Sequence, residues 1–228
     1  MGLIVKICGL SSEETVDAAL DAGADMIGFV LFPKSPRYVT VARAAALAER
    51  ARGRAEVVAL IVDMDDGELT SVAETLKPDW LQMHGSESVE AVKAARSLFG
   101  VKVMKALSVS TSADLDLASR YAAVADRLLL DAKPPKGADR PGGHGRTFDW
   151  MQLRGFAPSV PYLLSGGLTP GNVEEAIRIS GASGIDVSSG VETAPGRKDP
   201  DLIRAFIAAA RRAAAALPPR VTPEKVAS

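Results

Sequence analysis

The chain has 228 residues, 47% hydrophobic and 5% aromatic, so a sizeable core has to be filled mainly by Ala, Val, Leu and Ile. Its 27 basic and 28 acidic residues leave a formal net charge of -1, which excludes the basic footprint of a nucleic-acid-binding protein. One cysteine excludes an internal disulfide and a cysteine-based metal cluster. No segment reaches the roughly 18 consecutive apolar residues that span a bilayer, and MGLIVKICGL lacks the pattern of a signal peptide, so a cytoplasmic location is expected.

Short β-branched and aliphatic runs alternate with helical patterns along the chain. The predicted strands are Leu3 to Cys8, Met26 to Phe32, Glu56 to Val62, Trp80 to Met83, Val101 to Leu107, Arg127 to Asp131, Val160 to Ser165 and Gly184 to Ser188. Strands separated by helices imply parallel pairing with right-handed crossovers. An open doubly wound sheet fits the local pattern as well. Eight similar units, with ligand-type loops near both ends of the chain, favour a single α/β (β/α)8 TIM barrel over residues 1–217. Ser11 and Glu14 read as a capping box for the first helix, and Gly23 as its stop. Thr169–Pro170 and Asp199–Pro200 read as cap and first-turn pairs for two later helices. TFDWMQLRGF is short, so the sixth helix is expected to be abbreviated, and residues 218–228 have no apolar period and are expected to form a disordered tail.

In barrels of this kind the active site lies at the C-terminal ends of the strands. Cys8 ends strand one. It reads either as a small buried hydrophobe or as a reactive thiol, since alternation puts Lys6 on the same inward face and a nearby cation favours the thiolate. A buried Lys6 needs an anion, and Asp186 on strand eight is the candidate. Asp131 follows three leucines at the end of strand six, where a carboxylate is expensive unless used or paired. The long glycine-rich loop after it suggests a lid.

Gly166 and Gly167 precede the helix after strand seven, and Ser188, Ser189 and Gly190 follow strand eight directly. Loops at these two places commonly hold phosphate through backbone amides. Arg37, on a proline-constrained loop after strand two, reads as a surface arginine or as a bidentate carboxylate holder. Gln82 and His84 close strand four, with His84 a candidate base or a hydrogen-bonded loop residue. Two scattered histidines argue against a metal site.

Seven segments in order, KICG, FPKSPRYVT, LQMHG, LLLDAK, GGHGRTFDW, SGGLTPGNV and DVSSGVETAPGRKD, resemble the phosphoribosylanthranilate isomerase family of tryptophan biosynthesis over the chain up to about Leu217. The resemblance implies a cofactor-free Amadori rearrangement of N-(5-phosphoribosyl)anthranilate to the 1-deoxyribulose 5-phosphate aminoketose. It implies Asp131 as general acid opening the furanose and Cys8 as general base at C2′. It further implies Arg37 on the anthranilate carboxylate; Gln82 and His84, from their place at the end of strand four, are expected to bind substrate as well. Gly166, Gly167, Ser188, Ser189 and Gly190 would hold the phosphate. The expected partner is that phosphorylated sugar–anthranilate substrate, with no nucleic acid or membrane, in a monomer or a homodimer. His144 departs from the small polar residue that the family more often has there. The alternatives are the histidine-pathway aminoaldose isomerase, which has an aspartate where Cys8 stands, and a non-catalytic phosphometabolite-binding barrel.

Overall fold

Eight strands form where the sequence predicts them. They are β1 (Ile4–Cys8), β2 (Met26–Val30), β3 (Glu56–Ile61), β4 (Trp80–Met83), β5 (Lys102–Val109), β6 (Arg127–Ala132), β7 (Tyr162–Leu164) and β8 (Gly184–Val187). All neighbours pair in parallel, and β1 also pairs with β8, so the sheet closes into a barrel. The computed structural model describes residues 2–217 apart from 136 and 139, and the expected tail at 218–228 lies outside the described residues. Among the described residues no helix is long and apolar enough to cross a membrane.

Several strand ends differ from expectation, and β7 is shortened most, to Tyr162–Leu164. β2 ends at Val30 because the chain turns back there, with Val39 N–H donating to the Val30 carbonyl at 3.0 Å. β5 runs on to Val109, where it stays paired with Ala132 of β6.

The helices that cover the barrel are α1 (Glu13–Asp21), α2 (Val41–Ala48), α3 (Asp66–Thr75), α4 (Val89–Phe99), α5 (Ser112–Ala122), α6 (Val173–Ser180) and α7 (Pro200–Ala216). After β6 only a 3-10 turn, Trp150–Leu153, stands where a helix would complete the unit, as the short TFDWMQLRGF segment predicts. Asp199 caps α7 as expected, accepting from Asp201 N–H and Leu202 N–H. The other two predicted starts are corrected. Ser12, not Ser11, caps α1, so its third helical position is Thr15 and Glu14 lies out of reach of a capping box. Asn172, not Thr169, is the N-cap of α6; Thr169 belongs to the preceding turn and donates its N–H to Asn172 Oδ1.

A device at the N-terminal ends of the strands repeats on alternate strands. Asp25, Asp79 and Asp126, each just before an even-numbered strand, accept from the N–H of Val5, Val57 and Val103 on the preceding odd strand at 2.6, 2.7 and 2.9 Å. Each carboxylate satisfies a backbone donor that the start of a parallel strand would otherwise leave unpaired. In the fourth pair Ser183 takes the place, its hydroxyl donating to the Tyr162 carbonyl at 2.7 Å.

Inside the barrel, Met26, Val58, Trp80, Met104, Leu129 and Leu163 form an apolar plug. Toward the C-terminal end, Cys8, Val30 and Leu60 form a smaller cluster that also walls the pocket above it. The outer faces of the strands pack on the helices in one continuous core.

Candidate active site

The strand ends open into a pocket at the C-terminal mouth of the barrel. Cys8, Arg37, Gln82, His84, Asp131, Gly166, Gly167, Ser188 and Ser189 all line it. Nine residues scattered over the sequence are thus brought to one cavity. Gly190 is the exception among the predicted site residues: it stands behind the wall. A Cβ there would fall 1.7 Å from the Leu168 carbonyl oxygen, so its role is to let the loops after β7 and β8 pack together.

Cys8 is buried at the end of β1. Lys6 is on the same inward face, and its ammonium is paired with Asp186 at 2.7 Å, as the alternation predicts. Ser165 donates to the other Asp186 oxygen at 2.9 Å, so that carboxylate is held from two sides. Gly28, the register partner of Cys8 on β2, makes room for this arrangement. A Cβ at Gly28 would lie 3.0 Å from the Cys8 sulfur and 3.1 Å from Lys6 Nζ. Burial pushes the Cys8 thiol above its ordinary range; the Lys6 charge opposes that shift without reversing it. Lys6 is raised on balance, because Asp186 and Cys8 outweigh the cost of burying it.

Asp131 enters from β6, three strands round the barrel from β1. Its Oδ1 accepts from Ala132 N–H at 2.8 Å, and Oδ2 lies 3.5 Å from His84 Nε2. That separation makes no hydrogen bond, and Nε2 has no other partner. Gln82 Nε2 lies 3.2 Å from His84 Nδ1, so the ring is held by its β4 neighbour while Nε2 faces Asp131.

The lid explains its own glycines. A Cβ at Gly142 would meet Asp131 Oδ2 at 2.7 Å and His84 Nε2 at 3.0 Å. At Gly143 (φ +74°) it would meet Arg37 Nη1 at 2.5 Å. The two glycines lie directly over the three polar groups. His144 also lines the pocket, with Nε2 at 3.0 Å from the Arg140 carbonyl oxygen.

Arg37 is buried rather than solvated, and sequence reasoning missed why. A two-stranded hairpin, β9 (Glu192–Ala194) and β10 (Arg197–Lys198), follows β8. Its Glu192 accepts from Arg37 Nε at 2.7 Å and Nη2 at 2.8 Å. Lys198 donates to the same carboxylate at 2.7 Å and to the Ser188 carbonyl at 2.8 Å. Burial raises the Glu192 carboxyl, but Arg37 and Lys198 together hold it below its usual range. Nothing in ETAPGRKD marks the Arg37–Glu192 contact, whose partners are 155 residues apart.

In the loop after β7, Gly166 and Gly167 have φ of +90° and +61°, and side chains there would collide with Ala132 and Arg146 backbone atoms. Asn172 Nδ2 donates to the Gly167 carbonyl at 3.0 Å and pins this loop. Among the described residues no cluster of His, Cys, Asp and Glu is placed to hold a metal ion.

A sequence profile described as N-(5'phosphoribosyl)anthranilate (PRA) isomerase matches residues 5–209. Relatives named N-(5'-phosphoribosyl)anthranilate isomerase include one from Rhodopseudomonas palustris (strain BisB18), 61% identical over 92% of this chain and 97% of its own length. Another, from Nitrobacter winogradskyi, is 56% identical over 95% of this chain and 96% of its own. Among solved structures, phosphoribosyl anthranilate isomerase from Thermotoga maritima superposes with a TM-score of 0.84 at 34% identity, covering 92% of this chain and 99% of that one. A structure of phosphoribosyl anthranilate isomerase in complex with reduced 1-(o-carboxyphenylamino)-1-deoxyribulose 5-phosphate gives a TM-score of 0.81 at 32% identity, covering 92% of this chain and 99% of that one. With the barrel closed and the seven sequence segments converging on its C-terminal mouth, the chain belongs to the N-(5'-phosphoribosyl)anthranilate isomerase family.

Proposed function

We propose that this chain carries out the isomerisation for which its family is named, with Asp131 as general acid and Cys8 as general base. The substrate is N-(5-phosphoribosyl)anthranilate and the product is 1-(2-carboxyphenylamino)-1-deoxyribulose 5-phosphate, a step of tryptophan biosynthesis. Asp131 gives a proton to the furanose ring oxygen; the C1′–O bond breaks and the anthranilate nitrogen stabilises C1′ as a Schiff base. The Cys8 thiolate removes the C2′ proton, and the electron pair moves to form the enolamine. Tautomerisation then yields the ketone. No electrons leave the substrate, because its own imine is the electron sink.

The observation that supports these roles is that one pocket is lined by Cys8 and Asp131 from well-separated strands, with glycine loops on one side and Arg37 on another. An acid and a base acting on opposite sides of a sugar need that separation. Arg37 takes the anthranilate carboxylate, Gln82 and His84 border the ring, and the loops at Gly166–Gly167 and Ser188–Ser189 take the phosphate. All these groups come from one chain, so one barrel suffices whether the protein is a monomer or a homodimer. The charged metabolite suits the cytoplasm.

The test is to follow loss of substrate fluorescence with purified protein. Cys8→Ala and Asp131→Asn should each lower kcat by at least about two orders of magnitude, the scale of a general acid or base. Near-normal turnover in either variant would remove that residue from the mechanism.

A further inference from the structure

A guanidinium offers five donors, and the fold commits one edge of Arg37 before any ligand arrives. Nε and Nη2 are taken in a two-point contact by Glu192. The second Nη2 hydrogen faces the Gly143 carbonyl at a long 3.4 Å, and Nη1 lies against the Gly143 backbone. The outer edge, Nη1 with Nη2, has no side-chain partner among the described residues, so a ligand's carboxylate can engage it by displacing this long Gly143 contact. The hairpin that carries Glu192 is fitted against the Arg37 loop: a Cβ at Gly196 would lie 2.2 Å from the Pro36 carbonyl oxygen.

Charge is the difficulty with such a clamp. The Arg37 and Glu192 side chains are only 5% and 4% exposed, and as a neutral pair they would give an incoming carboxylate no net cation in a desolvated place. Lys198, its side chain 1% exposed, supplies the missing charge. It donates to Glu192 and to both the carbonyl and the hydroxyl of Ser188, the hydroxyl at 3.0 Å, so it is tied to the fold and does not itself reach for ligand. Burial lowers the Lys198 ammonium to about 8, with Glu192 opposing, which leaves it cationic at neutral pH.

We propose that Glu192 and Lys198 are positioning residues that set specificity for the substrate's carboxylate: Glu192 fixes which edge of Arg37 faces the ligand, and Lys198 keeps that edge attractive to an anion. The inference rests on the assignment of Arg37 to the anthranilate carboxylate. It makes the hairpin after β8 part of substrate selection, although neither residue touches the substrate.

The experiment compares kcat and KM for N-(5-phosphoribosyl)anthranilate and for N-(5-phosphoribosyl)aniline, which lacks the carboxylate. Wild type, Arg37→Ala, Glu192→Gln and Lys198→Met are measured alongside thermal melts. The preference for the carboxylate substrate should fall about tenfold or more in Lys198→Met and Glu192→Gln, through KM for that substrate, as expected on disturbing a desolvated charge contact. Glu192→Gln leaves two buried cations and is the variant at risk of misfolding. Lys198→Met keeps the Arg37–Glu192 pair and by itself decides the question. An unchanged preference in Lys198→Met, or an equal loss with both substrates, overturns the inference while Arg37→Ala still abolishes the preference. A preference that survives Arg37→Ala overturns the assignment beneath it instead.

Discussion

Cys8 has two opposed influences on its proton. Burial disfavours the thiolate, and the Lys6 ammonium on the same face favours it, with Lys198 adding a weaker pull and Asp186 a weaker push. Burial wins, so the thiol loses its proton above the usual value of about 8.5. With Cys8 as the proposed base, the residual kcat/KM of Asp131→Asn, in which the acid no longer titrates, should climb with pH through neutrality and level off only above that ordinary value. A pH–rate profile measures this directly, and a plateau already reached at pH 7 would exclude Cys8 as the titrating base. A raised value has a use as well as a cost, since the fraction that ionises is a stronger base toward C2′. Gly28 is the counterpart of this device on β2: only a missing side chain leaves the sulfur and the ammonium their common space.

The lid after β6 makes a tighter contact than its composition suggests. Gly142 and Gly143 lie over Asp131, His84 and Arg37, so the loop is fitted to the polar groups it covers. In Gly142→Ala the new methyl would sit 2.7 Å from Asp131 Oδ2, and the loop has to lift. That variant should lose about one to two orders of magnitude in kcat, the penalty for misplacing a reacting group by about an ångström. Its melting temperature should barely change, because the loop adds little to the core. Steady-state kinetics beside a thermal melt check both halves, and unchanged kcat would mean that the lid stands clear of Asp131 during turnover. At the opposite end of the barrel, Asp25, Asp79 and Asp126 do structural work of the same economy, each closing one strand pair. Their positions were legible in retrospect as an aspartate before each even strand through the sixth. The partner, a valine amide some twenty residues earlier, was not.

The barrel closes between its first and last strands, and the Lys6–Asp186 pair crosses that seam, joining residues 180 apart in sequence. Lys6 is fully buried, so Lys6→Met would leave the nearly buried Asp186 charge without its cation. The loss in unfolding free energy should be about 3–5 kcal/mol, as for other broken buried pairs, read from urea denaturation. Replacing Asp186 with Leu in the same variant should recover much of it, since an apolar pair of similar volume needs no compensation. A Lys6→Met protein as stable as wild type would show that the seam is held by backbone pairing and packing alone.

Local pattern determined the alternation of eight strands with helices, the short sixth unit, and strand ends rich in polar residues and glycine, because strand and helix periods and turn chemistry are properties of neighbouring residues. It also determined that Lys6 and Cys8 share a face and that Asp186 can meet Lys6 once the ends join. Closure itself was decided by the tertiary structure, since an open sheet satisfies the same periods. So were the Ser12 and Asn172 caps, where a shift of one residue in the first case and three in the second chooses between nearby capping side chains. The Arg37–Glu192–Lys198 network and the seating of the lid glycines belong to the same class. They depend on which distant backbones come within a few ångströms, and that distance is set by barrel closure and loop packing, not by any spacing along the chain.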